Sequence, residues 1–172
     1  LSSKYTTISL AAQTTITGGG TLYVKSDRDC ALYANGVDLA IDNCQVNAES
    51  STYAIAGSDG TRETLTINNA MVTAEGKENG SICDFANVML VGCDIIQPAG
   101  AAFDSDLHGI ALNGAIVTSK VIIGDPSSIQ APVIDAAAKR GVYTLSGVQL
   151  KTDVKDLPKG IYVVNGKKMV KK

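Results

Sequence analysis

The sequence predicts an all-β chain: a parallel β-helix of about four coils followed by a small C-terminal antiparallel β cap. Three observations carry this. A small residue followed by a branched aliphatic recurs at Ala31-Leu32, Ala54-Ile55, Ser81-Ile82 and Gly109-Ile110, with spacings of 23, 27 and 28 residues. Two further strand-like segments follow each of the first three pairs in a fixed order. No segment carries the 3.6-residue apolar stripe that helical repeats would need.

The second segments are Leu39–Cys44, Leu65–Ala70 and Val88–Cys93, and the third are Val46–Glu49, Val72–Glu75 and Ile95–Pro98. Period-2 alternation turns Leu39, Ile41, Leu65 and Ile67 inward and Ala40 and Thr66 outward. Thr21–Val24 reads as the second element of an earlier, partial coil, and Val121–Ile123 as that element in a final one. Corners fall at Asn35-Gly36, Asp59-Gly60, Asn68-Asn69 and Asn79-Gly80, whose residues tolerate left-handed backbone. A single coil cannot bury its inward face. Stacking coils about 4.8 Å apart completes both ladder and core. A β-sandwich is the alternative; a leucine-rich repeat is disfavoured because the period wanders.

Composition sets the outer bounds. At 172 residues, 45% apolar and 19% charged, the chain can build a real core and is not a disordered segment. No apolar run approaches the roughly 20 residues of a membrane-spanning helix. Charge divides unevenly: residues 1–140 hold 8 Lys/Arg against 15 Asp/Glu, or −7, while residues 141–172 hold 7 Lys against 2 Asp, or +5. An acidic body argues against nucleic acid as partner. The break suggests two parts, residues 1–125 as the β-helix and 141–172 as a tail, with the Pro- and Ala-rich stretch 126–140 as linker. The start, LSSKYTT, reads as that of a mature or trimmed chain.

In the tail, Val142–Leu145 forms a strand ending in a Ser146-Gly147 turn, and Leu157–Gly160 forms another turn. Ile161–Val164 then pairs with Lys167–Val170 across Asn165-Gly166, the strongest short-range hairpin signal. Such a sheet is suited to covering the bare edge of a last coil.

Over residues 15–125 the rhythm resembles the right-handed parallel β-helix superfamily that includes pectate lyases, polygalacturonases and many bacterial surface proteins. The resemblance implies a right-handed coil. The tail elements Tyr143–Gly147, Leu157–Tyr162 and Val164–Lys168, with the basic end Lys171-Lys172, closely resemble the terminal portion of the C-terminal sorting domains of secreted Bacteroidetes proteins. The match covers only the last strands of such a domain. It implies a secreted or cell-surface location.

Candidate chemistry is sparse. Cys44 and Cys93 share a coil position with Ala70 between them, hence about 10 Å apart, too far for a disulfide. Cys30 and Cys83 flank opposite sides of their inward pairs and are not stacked equivalents, which leaves any bond between them open. There is no CxxC for zinc. His108-Gly109 matches a dipeptide of polygalacturonase-like active sites, but that family's companion elements are missing. The repeat aligns His108 with the wall positions Cys30, Tyr53 and Gly80. No catalytic residues are therefore expected.

The acids Asp27, Asp29, Asp59, Glu63, Asp84, Asp104 and Asp106 fall near corners, where calcium is the one conceivable cofactor. Asp42, Asn68 and Val91 share one position, so no carboxylate pair stacks there. Asp59 and Arg62, in the turn Gly57–Glu63, mark the most ligand-like corner. Tyr23 and Tyr33 should both face outward, and near one end they would offer a stacking platform for a polysaccharide or surface glycan. The expectation is a non-catalytic secreted module, glycan-binding or adhesive. The alternatives are a small polysaccharide lyase or hydrolase, and a structural spacer of a larger surface protein.

Overall fold

The computed structural model describes residues 1–126, 142–144, 147–150, 154–164 and 167–171. The chain divides into two compact units, Leu1–Ser128 and Ile129–Lys172.

The first unit is a parallel β-solenoid of about four coils with three walls. The first wall stacks Ile8–Ser9, Cys30–Tyr33, Tyr53–Ala56 and Gly80–Cys83, all parallel. The second stacks Thr14–Thr17, Leu39–Asp42, Thr64–Asn68 and Asn87–Val91. The third stacks Ser2–Ser3, Thr21–Ser26, Gln45–Ser50 and Met71–Gly76. Register follows the repeat: Leu32 pairs with Ile55 and Ile55 with Ile82, while Leu39 pairs with Leu65 and Ile41 with Ile67. These aliphatic rungs are fully buried and form one continuous core. Packing a ladder this way removes the inward methyl groups of the central rungs from water, the dominant stabilising term, while Ile16, Val88 and Leu90 at the ends stay partly buried.

Three assignments within the coils change. Thr21–Val24 belongs to the third wall, paired with Gln45–Ala48. The second-wall strand of that coil is Thr14–Thr17, whose single aliphatic, Ile16, lies over Ile41. An end coil covers only one side of the core, so one aliphatic suffices and the signal is weak. Val121–Gly124 also lies in the third wall, where it runs antiparallel between Met71–Gly76 and Asp94–Gln97. It therefore separates Ile95–Gln97 from the Val72–Glu75 rung on which that segment was expected to stack. Period-2 alternation specifies which side chains turn inward and says nothing of strand direction.

Gly109–Leu112 is the third change. It pairs antiparallel with Ala102–Asp104 and Ala115–Ile116, although Ile110 still enters the core. With Val121–Gly124, this meander closes the last parallel coil from within the first unit. Ser81 N–H donates to Val117 O at 2.8 Å and Phe85 N–H to His108 O at 3.0 Å. Backbone groups that a fifth coil would have paired are satisfied in this way.

Of the corners, Gly36, Gly60 and Asn69 take left-handed backbone as expected, whereas Gly80 begins a strand. Asn43, Asn69 and Gly92 stack as one left-handed corner between the second and third walls. Asn43 N–H donates to Asn68 O at 3.0 Å and Asn69 N–H to Val91 O at 2.8 Å.

The second unit has a four-stranded antiparallel sheet in the order Gln149–Leu150, Val142–Thr144, Gly160–Val164, Lys167–Lys171. The expected pairing of Ile161–Val164 with Lys167–Val170 is present, Val164 opposite Lys167. Its Asn165-Gly166 turn, Leu145-Ser146 and nearly all of the expected linker lie outside the described residues. Val142, Leu157 and Tyr162 form a small core of their own. No helix among the described residues is long and apolar enough to cross a membrane.

Candidate functional site

The first wall has an unusual strand pattern that builds its outer surface. Each strand of four turns two consecutive side chains into the core: Ala31-Leu32, Ala54-Ile55 and Ser81-Ile82, all fully buried. The flanking residues are left for the other side. Cys30, Ala56 and Cys83 form a second apolar cluster, separate from the main core, with Tyr33, Tyr53 and Ile116 packed against it.

Above this cluster opens a hollow of about 340 Å³. Tyr33 and Tyr53, from successive coils, line it together with the carboxyls Asp29 and Asp84 and the hydroxyls Thr6 and Ser58. Thr6 Oγ1 donates to Asp29 Oδ2 at 2.7 Å, and Tyr33 OH donates to Ser58 Oγ at 3.4 Å. Asp84 follows Cys83 with a left-handed backbone, φ 61°, which Asp tolerates better than most residues. Burial raises the Asp84 carboxyl above its ordinary value; the Cys83 thiol and His108 oppose this, and Glu63 adds to it. Burial likewise raises Tyr53.

The thiols offer no nucleophile. Burial pushes Cys30 up to about 12 and raises Cys83 as well, so both are protonated at neutral pH. All four cysteines are free. Cys44 and Cys93, two rungs apart with Ala70 between, donate to Ile16 O and Ile67 O, each at 3.3 Å. Cys30 sits in register with Tyr53 and Gly80, Cys83 with Ala56 and Tyr33, so these two are not stacked equivalents.

Tyr23 and Tyr33 are not brought together. Tyr23 is 63% exposed on the third wall, where it lines a separate hollow of about 300 Å³ with Lys25, Asn47, Glu49 and Thr73. Asp59 and Arg62 lie on the corner whose Gly57 and Ser58 reach the Tyr33 hollow, but neither lines it. Asp59 Oδ1 accepts Thr61 N–H at 3.0 Å and Thr61 Oγ1 at 2.6 Å, and Arg62 Nη2 stands 3.6 Å from Asp59 Oδ2. The Thr61 hydrogen bonds, with help from Arg62, lower the Asp59 carboxyl. That carboxylate is committed to its own turn.

Glu63, from the same corner, is 1% exposed; its Oε1 accepts the Ser58 N–H and its Oε2 has no partner among the described residues. His108 does not continue the Cys30–Tyr53–Gly80 row. Its ring lies against Gly60, where an added Cβ would come 2.6 Å from His108 Cβ. No three His, Cys, Asp or Glu side chains among the described residues are grouped to hold a metal ion.

The repeat aligns Tyr53 with Cys30 and does not by itself mark it as a site residue. The readable signal was register: Tyr53 and Tyr33 fall one coil and three wall positions apart, flanking small Cys30 and Ala56. Two rings over small neighbours, with carboxylates and hydroxyls at the rim, suit one face of a sugar ring and its hydroxyl edge. No family model, curated protein or solved structure matches this chain.

Proposed function

We propose that the protein is a non-catalytic glycan-binding module of a secreted or cell-surface protein, and that the Tyr33–Tyr53 hollow is its binding site. The observation that carries this reading is the meeting, in one hollow, of two tyrosines with Asp29, Asp84, Thr6 and Ser58. The rings offer apolar faces, and the polar rim offers acceptors and hydroxyls for sugar hydroxyls. The coil stack would let a polymer chain run on past the hollow. The location rests on the sorting-domain resemblance of the tail.

A hydrolase is the second reading, and one observation favours it. Asp29 and Asp84 face the same hollow, and burial raises Asp84 in the direction a general acid requires.

Calorimetric titration of the full chain with a panel of plant and host oligosaccharides, with products followed by chromatography, tests both. Tyr53→Ala is expected to weaken binding about tenfold, equal to roughly 1.4 kcal/mol and within reach of a lost aromatic contact. Tyr23→Ala should bind within twofold of the parent. Equal binding by Tyr53→Ala would remove the hollow as the site. Product release abolished by Asp84→Asn would establish the hydrolase instead.

A further inference from the structure

The charge around the hollow says which glycans it accepts. Its lining contains two carboxyls, Asp29 and Asp84, and neither Lys nor Arg. Among the described residues neither acid has an ion-pair partner. The ion pairs of Lys25, Arg62 and Lys77 are with Glu49 and Asp59, all outside this lining. Asp29 offers a further acceptor oxygen beyond the Oδ2 that takes the Thr6 hydroxyl. Asp84 is half-buried and receives a weak thiol hydrogen bond of 3.7 Å from Cys83; His108 nearby partly offsets the effect of burial, and no Lys or Arg pairs with it among the described residues. The faces of Tyr33 and Tyr53 attract a cation placed within about 6 Å of either ring. Residues 1–140 as a whole carry −7.

We infer that the hollow receives a protonated amine, and that the glycan selected carries free amino sugars while uronic acid polymers are refused. This rests on the glycan-binding reading and narrows it. An ammonium group would meet two carboxyls that pair with no Lys or Arg among the described residues, beside two tyrosine rings, and each favours it. A uronate would be held against the same carboxylates with no cation between them, an arrangement that suppresses wrong partners. The open shape and the hydroxyls of Thr6 and Ser58 favour a sugar ring over the bare side chain of a basic peptide.

The test titrates the full chain at pH 6 with four probes: a glucosamine oligomer, its fully N-acetylated counterpart, an oligogalacturonate of equal length and an oligolysine. The expected result is glucosamine at least tenfold tighter than the acetylated oligomer, a preference eroded by salt, and no detectable galacturonate binding. Asp84→Asn should weaken glucosamine binding about tenfold, and Asn retains tolerance of the left-handed backbone at that position. Asp29→Asn supplies the same test should the first variant fold poorly. Asp59→Asn removes an equal charge outside the hollow and should leave the preference intact.

Equal affinity for the amine and its acetylated form would overturn the inference while leaving the glycan site standing. Galacturonate binding as tight as glucosamine, or oligolysine binding tighter than either sugar, would overturn it too. Binding of none of the four probes, nor of any neutral glycan, would sink the site along with it.

Discussion

The first and third walls of the solenoid are built from the same chain with opposite results on their outer faces. Third-wall strands run to six residues with strict alternation, buried at Val46, Ala48 and Ser50 and half-buried between. Outward groups there stand in straight rows, Tyr23–Asn47–Thr73 and Lys25–Glu49–Glu75. In the charged row Lys25 Nζ lies 3.3 Å from Glu49 Oε1, and Lys77, beyond the end of the next strand, brings its Nζ to 3.8 Å from the same oxygen. First-wall strands are only four residues long and turn two adjacent side chains inward. The flanking outward groups then shelter one another, as Cys30, Ala56 and Cys83 do beneath the tyrosines. The turning of two adjacent side chains inward, which the equally short strand Leu39–Asp42 does not do, therefore accompanies the recess around an outward tyrosine.

The strongest way to break this contrast is at the first-wall corner. A Cβ on Gly57 would collide with the Asp84 carbonyl oxygen and lie 2.7 Å from Glu63 Oε1. Gly57→Ala is expected to lose more than about 4 kcal/mol in urea unfolding, the range reserved for severe overpacking. On the third wall a Cβ at Gly124 would meet Ile96 Cδ1 at an ordinary 3.4 Å, so Gly124→Ala should change stability by less than about 1 kcal/mol. Similar unfolding midpoints for the two variants would refute the close packing of the corner.

Next in size is the alkaline limb of stability. The Cys30 thiol has an ordinary value of 9.0 and is pushed up to about 12 in the folded chain. Below about pH 9 it is protonated in both states and its contribution is whole. As pH rises from there toward 12 the unfolded chain gives up the proton first, and stability falls by at most on the order of 4 kcal/mol. Cys30→Ala should flatten that slope. At pH 8, an aromatic disulfide reagent should label half-buried Cys44 in the native protein and reach Cys30 and Cys83 only on unfolding. Native labelling of Cys30 ahead of Cys44 would show that the first wall is open.

The smallest effect belongs to the third-wall charges. The Lys25–Glu49 pair is about half exposed on both sides, so Lys25→Ala should cost less than about 0.5 kcal/mol, with the difference shrinking in salt. A larger loss would mean that the row of charges acts as a network.

Much of the fold was readable because inward residues obey a local rule. Leu39, Ile41, Leu65 and Ile67 announce themselves by alternation, and the small-aliphatic pairs announce the first wall. Less of the site was readable. Tyr33 lines the hollow, while Tyr23 belongs to another wall and Asp59 and Arg62 close a turn. Tyr53 and the Asp84 carboxyl join Tyr33 only through coil-to-coil register, over sequence separations of 20 residues or more, whereas Asp29 lies four residues before Tyr33 in the same coil. The buried Glu63 sits in a stretch whose composition is that of any polar turn.

By itself, then, the sequence determined the repeat, the inward faces, the unbonded cysteines two rungs apart and the hairpin of the tail. Each depends on neighbours along the chain or on a fixed spacing. Tertiary structure alone decided where the parallel stack stops. The antiparallel entry of Val121–Gly124 beside Met71–Gly76, and the meander around Gly109–Leu112, carry the same alternation a further coil would show. A period of two residues encodes which face a side chain takes. Direction and partner are chosen by which exposed backbone edge remains to be paired when the chain returns to it.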